Sequence, residues 1–205
     1  EITAEFSVRC NSRVIWGGDR TICEVRKAVL PPRSNELTFA DRYSIGILSL
    51  EALKEIAPEA LKRLAVDFYN DTYLMDQNAC SSPHMILWMR EKDMTDENAV
   101  KIQKRFWDAV AETAAKYDLE DIKASGKYSL LCDWIIDHQC LSACQRYENL
   151  LYVCTLEELP EELTGCRGKF GLFFQTQVSD WNWLEKMSDE KIQTCACYGM
   201  DQEQI

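Results

Sequence analysis

Apolar and polar positions follow one another along the chain in short blocks of two kinds. Residues 13–16 (Arg13, Val14, Ile15, Trp16) predict a short strand, Gly17-Gly18-Asp19 a turn, and residues 21–26 a helix that Pro31-Pro32 stops. Residues 37–39 and 44–48 read as strands. Leu53, Ile56, Leu61, Leu64, Ala65 and Phe68 recur at helical spacing over 51–69, and Pro58 breaks the early part of that run. A polar stretch over 70–83 leads into the apolar run 84–89, which has the length of a buried strand. Asp96 stands where a cap belongs for a long helix reaching about Lys116, with Val100, Ile102, Phe106, Val110 and Ala114 on its apolar side. Residues 128–144 read as helical or irregular, 152–154 and 169–175 as strands, and 156–163 as an acidic turn. A helix around Trp181 and Leu184 is expected over 179–188, and a last strand over 193–198. Strands and helices alternate, so the fold class is α/β in a single main domain.

Charge narrows the function classes. The 205 residues carry 34 acidic against 23 basic side chains, a net charge of −11. That is the wrong sign for gripping a nucleic-acid backbone or an anionic membrane surface. No apolar stretch is long enough to span a bilayer, and the chain opens at Glu1 without a leader pattern. These features predict a cytoplasmic protein, and the ends read as those of a piece of a longer chain. Ten cysteines are many, but the chain is long enough to bury its own core without staples. Cys132, His138, Cys140 and Cys144 form the one cluster with metal-site residue types. Zinc thiolates come in tighter pairs, so buried thiols are the better reading and no metal is expected. Cys195 and Cys197 alternate in a strand-like segment and should point the same way.

One cysteine stands apart. Cys80 lies in Met75-Asp76-Gln77-Asn78-Ala79-Cys80-Ser81-Ser82-Pro83, between a helix and a strand, among small and amide-bearing neighbours. Such a loop leaves room beside the sulfur. The Cys80 N–H and the Asn78 side chain are candidate donors to an oxyanion. A helical turn opening at Ser81 or Ser82 would place amides behind the thiol and lower its pKa.

The segment 73–84, Tyr-Leu-Met-Asp-Gln-Asn-Ala-Cys-Ser-Ser-Pro-His, resembles the nucleophile segment of the LuxC family, acyl-CoA reductases of the aldehyde dehydrogenase superfamily. Val14-Ile15-Trp16-Gly17-Gly18-Asp19-Arg20-Thr21-Ile22 is similar to that family's glycine turn, and residues 36–44 resemble the stretch after it. The resemblance implies a catalytic domain with a mostly parallel sheet flanked by helices. Residues 1–30 would be a remnant of the dinucleotide-binding domain, and 31–205 the catalytic domain with its C-terminal end incomplete. It also implies NADPH-dependent reduction of a long-chain fatty acyl-CoA, or of the acyl thioester of a synthetase or transferase partner, to an aldehyde through an acyl-cysteine at Cys80. NADH is the alternative cofactor, and homo-oligomerisation is implied for the full-length protein.

Within that frame Gly17 and Gly18 are the cofactor-binding candidates, and Asp19 reads as a helix cap. Asn78 stands where the superfamily's Gly-Gln-x-Cys pattern has glutamine, and Gln77 is one place further from the cysteine. Glu36 falls in the region of the superfamily's water-activating glutamate, but Thr38-Phe39 replaces the glycines that follow it there. His84 is a candidate base that must fold back to reach the thiol, and Phe173 and Phe174, with Trp181 and Trp183, are candidates for an acyl-channel wall. Two rivals remain: a coenzyme-A-acylating aldehyde dehydrogenase for shorter acyl groups, and a cysteine-rich structural or metal-binding domain.

Overall fold

The computed structural model describes residues 2–186 and 190–200, so part of the helix expected over 179–188 lies outside the described residues. The chain divides into two compact units, residues 1–42 and 43–205.

The first unit runs α1 (Ile2–Ser7), β1 (Ser12–Gly17), α2 (Asp19–Arg26) and β2 (Asn35–Ala40). Parallel pairing of β1 with β2, from Ser12 opposite Asn35 to Gly17 opposite Ala40, carries this unit past residue 30 to Arg42. Ile15 and Ile22 are buried, and Arg13 closes the helix end by donating to the Val25 and Ala28 carbonyls at 3.2 and 2.8 Å.

The second unit is built on a six-stranded sheet in the order β5-β6-β7-β4-β3-β8. Its strands are β3 (Tyr43–Ser49), β4 (Pro83–Met89), β5 (Leu141–Tyr147), β6 (Leu151–Leu156), β7 (Leu172–Val178) and β8 (Ile192–Tyr198). All neighbours pair in parallel except β5 with β6. The α/β, mostly parallel sheet expected from the sequence is therefore present. β3 and β4 are buried on both faces, which is why their sequences are continuous apolar runs.

The flanking helices are α3 (Leu50–Lys54), α4 (Pro58–Thr72), α5 (Asp96–Ala114), α6 (Asp121–Asp137) and the short α7 (Trp183–Lys186). Pro58 does not merely perturb one long helix. It is the first residue of α4, where the missing N–H costs nothing, and α3 ends before it. Thr95 caps α5 by accepting from Asn98 N at 3.3 Å, so Asp96 is the first helical residue and not the cap. Residues 128–144 resolve into the end of α6 and most of β5. β5 escaped notice because it is an edge strand with largely exposed, polar positions.

Alternation along the strands sorts the core into two layers. Leu48, Ile86, Trp88, Val153 and Phe173 pack with α4 and α5 through Phe68, Phe106 and Trp107. Ile45, Ile47, Met85, Leu87, Cys154 and Phe174 pack on the other face with Leu131 and Trp134 of α6. Among the described residues no helix is long and apolar enough to cross a membrane.

Candidate active site

The loop from α4 to β4 is shaped by an unusual backbone. After α4 a 3-10 turn (Tyr73–Met75) ends at Asp76 and Gln77, two consecutive non-glycine residues in left-handed conformation, with φ 55° and 60°. Side chains other than glycine pay for such a conformation, so the surroundings must over-determine it. They do. Gln77 is buried, and its Nε2 donates to the carbonyls of Leu172 at 2.9 Å and Pro83 at 3.3 Å. Its Oε1 accepts from Gly171 N at 3.1 Å. Phe170 N donates to Asp76 O at 3.3 Å, and Phe170 and Gly171 are themselves left-handed, with φ 57° and 87°. A side chain at Gly171 would meet Leu150 O at 2.4 Å, so only glycine fits there. Two left-handed turns, one before β4 and one before β7, are thus stitched face to face.

Cys80 sits on the outer part of this loop. Ser82 N donates to Ala79 O at 3.0 Å, and β4 begins at Pro83. The segment is a tight turn, and no helical turn opens at Ser81 or Ser82. The Cys80 carbonyl accepts from Ser44 Oγ at 2.6 Å, and Ser82 Oγ donates to Asp71 O at 2.6 Å. Cys80 is an exposed residue. Gln193 Nε2, at the start of β8, donates to Cys80 Sγ at 3.7 Å. The sequence singled out neither Ser44 nor Gln193, since each meets the loop only through the parallel pairing of β3 with β4 and β8.

Asn78 is exposed beside this turn, and its Nδ2 donates to Asp76 O at 3.1 Å. Gln77, by contrast, is a brace inside the protein and not an amide facing substrate. His84, the candidate base, lies in the core. It opens β4 with its ring stacked on Tyr43 at 5.3 Å, only 3 % exposed, and its Nδ1 has no hydrogen-bond partner among the described residues. Burial, reinforced by the nearby Arg167, pushes its pKa down to about 3. It is a neutral core imidazole, packed against Tyr43.

Phe173 and Phe174 cannot wall one channel. Adjacent strand residues point to opposite faces, and both are fully buried: Phe173 lies 5.1 Å from Phe68, and Phe174 lies 4.7 Å from Trp134. Trp181 and Trp183 stack on each other at 6.0 Å and join the layer around Phe174.

In the first unit Gly18 is the N-cap of α2, and Asp19, expected as the cap, is the first helical residue. A Cβ on Gly17 would press on Thr21 at 3.0 Å, whereas one on Gly18 would find nothing nearer than Asp41 at 3.7 Å. Packing inside the unit therefore explains Gly17 but not Gly18. Glu36 is held by Arg13 (Nε to Oε2, 2.8 Å) and Arg26 (Nε to Oε1, 2.7 Å), which lower its carboxyl pKa. It is a locked ion pair, not a carboxylate poised to activate water.

The cysteine cluster does not converge on a point. His138 stacks on Trp134 and Cys144 faces Cys154 across β5 and β6 at 3.7 Å. Among the described residues no three His, Cys, Asp or Glu side chains gather around a common metal position. Cys195 and Cys197 do point the same way, their sulfurs 3.5 Å apart.

The family described as acyl-CoA reductase (LuxC) matches residues 1–126. Solved structures share the fold. 1-Pyrroline-5-carboxylate dehydrogenase from Thermus with bound NAD superposes with a TM-score of 0.57 at 15 % identity, over 96 % of this chain and 40 % of that one. Aldehyde dehydrogenase 21 from Physcomitrella patens gives 0.59 at 10 %, over 98 % and 42 %. An NADP-dependent enzyme from E. coli gives 0.62 at 9 %, over 99 % and 44 %. The chain spans less than half the length of these structures. Comparison with curated protein sequences finds no match.

Proposed function

Since the chain belongs to the LuxC acyl-CoA reductase family, we propose that it carries the thioester-forming centre of an enzyme that reduces a long-chain fatty acyl thioester to aldehyde, with Cys80 as nucleophile. The observation that carries this reading is the exposed residue Cys80 on a loop whose left-handed base is pinned by buried hydrogen bonds. A rigid loop holding a reachable sulfur is what covalent catalysis needs.

The Cys80 thiolate attacks the acyl carbonyl. A carbon–sulfur bond forms to the enzyme, the bond to the donor sulfur breaks, and coenzyme A or the partner's sulfur leaves as a thiolate with the electron pair, to take up from solvent the proton that Cys80 had released. The charge on the carbonyl oxygen calls for nearby donors: the Cys80 N–H, the Asn78 amide, and the Gln193 amide that already stands at the sulfur. The acyl group comes from fatty acyl-CoA or from an acylated synthetase or transferase. NADPH, when bound, supplies the hydride that takes the thioester to the aldehyde level. Gly17 and Gly18 are the residues suited to it: Gly18 leaves bare backbone at the N-terminus of α2, with room that a side chain would fill.

The test is a series of acyl-CoA substrates of increasing chain length, given to the full-length protein with NADPH or NADH and read as aldehyde formed. Activity peaking at long chains with NADPH supports the proposal. A peak at two to four carbons would assign the chain to the coenzyme-A-acylating dehydrogenases for short acyl groups.

A further inference from the structure

Asp76 is tied from outside the loop. Its Oδ1 accepts from the Tyr117 hydroxyl and, at 3.2 Å, from Lys123 Nζ. Both partners come from the connection between α5 and α6: Tyr117 just after α5, Lys123 in the first turn of α6. Burial and the adjacent carboxylate raise the Tyr117 pKa, and the hydrogen bond to Asp76 raises that of Lys123. Tyr117 therefore stays a donor, and Lys123 stays charged. Tyr117 is itself fixed edge-on against Tyr73 at 5.1 Å.

The carboxylate and the carbonyl of Asp76 belong to one left-handed residue, so holding the first aims the second. That carbonyl accepts from Phe170 N at 3.3 Å and from Asn78 Nδ2 at 3.1 Å. The direction of the Asn78 amide thus depends on the Asp76 peptide, and the peptide depends on its side-chain clamp. We propose that Tyr117 and Lys123 are positioning residues for acyl transfer: by clamping Asp76 they orient the Asn78 amide and the turn that presents Cys80. The inference rests on Cys80 being the acylated thiol, and it adds the α5–α6 connection to the working parts of the site.

Acyl transfer needs an aimed oxyanion donor, whereas alkylation of a thiol by iodoacetamide does not. The experiment compares both reactions at Cys80, by intact-mass and peptide mass spectrometry with a long-chain acyl-CoA or iodoacetamide, in wild type, Tyr117→Phe, Lys123→Met and Lys123→Arg, with Tm measured for each. The expected result is that Tyr117→Phe and Lys123→Met slow acylation about tenfold, leave alkylation within about twofold, and that Lys123→Arg keeps most of the wild-type rate. Should Lys123→Met fail to fold, Tyr117→Phe, which removes a single hydroxyl, decides alone. Wild-type acylation rates in the folded variants would overturn the proposal. So would a parallel fall of acylation, alkylation and Tm, which is what plain support of the fold produces. Acylation of wild type elsewhere than Cys80 would overturn the nucleophile assignment as well, and so separates the two failures.

Discussion

His84 shows how far a residue's type can mislead without its surroundings. Four places after a candidate nucleophile it reads as a base, yet its ring lies in the core against Tyr43, its pKa driven down to about 3 from an ordinary 6.5. Between those values the unfolded chain binds a proton that the folded chain refuses, so stability falls as pH drops below 6.5. Over the interval from about pH 7 to pH 4 this one group should remove about 3 kcal/mol. Urea unfolding across that range should show a steeper loss in wild type than in His84→Asn. Parallel profiles for the two proteins would contradict the assignment of a buried neutral imidazole. Cys80 is the opposite case: its small, polar neighbours marked it in the sequence, and the structure places it exposed on a tight turn. What makes the turn rigid was illegible, because Tyr117, Lys123, Ser44 and Gln193 reach it across sequence distances that no local pattern encodes.

At the scale of elements, the sequence was most readable where one physical rule acts alone. Continuous apolar runs became the doubly buried β3 and β4, and the glycine turn became a strand, an N-cap and a helix in the expected order. It was least readable where faces compete. Phe173 and Phe174 look like one aromatic wall in sequence but belong to opposite layers of β7, and β5 hid behind an edge strand's polar positions. The loop between α4 and β4 tests this scale directly. Its left-handed pair stands on Gln77, whose three hydrogen bonds reach Pro83, Gly171 and Leu172. Gln77→Ala leaves buried donors and acceptors unpaired and should cost about 2–4 kcal/mol in urea unfolding. Asn78→Ala, exposed and next door, should cost under about 0.5 kcal/mol. Equal, small losses in both would show that the loop is not held by its buried amide.

For the whole molecule, the cysteine count of ten and the net charge of −11 say little about chemistry. The charge has the wrong sign for gripping a polyanionic surface, but a coenzyme A site needs only a local basic patch. The count conceals a functional contrast, since Cys23, Cys80, Cys195 and Cys197 are all exposed and only Cys80 lies on the pinned loop. If exposure alone governed reactivity, these thiols would compete on equal terms. If the pinned loop and its amides govern it, one of them should take the acyl group. The direct measurement is to treat the protein with a limiting amount of long-chain acyl-CoA and map the thioester by peptide mass spectrometry over all the cysteines. The predicted result is a single acyl group on Cys80, absent in Cys80→Ser. Acyl groups spread evenly over Cys23, Cys195 and Cys197, or none on Cys80, would contradict it.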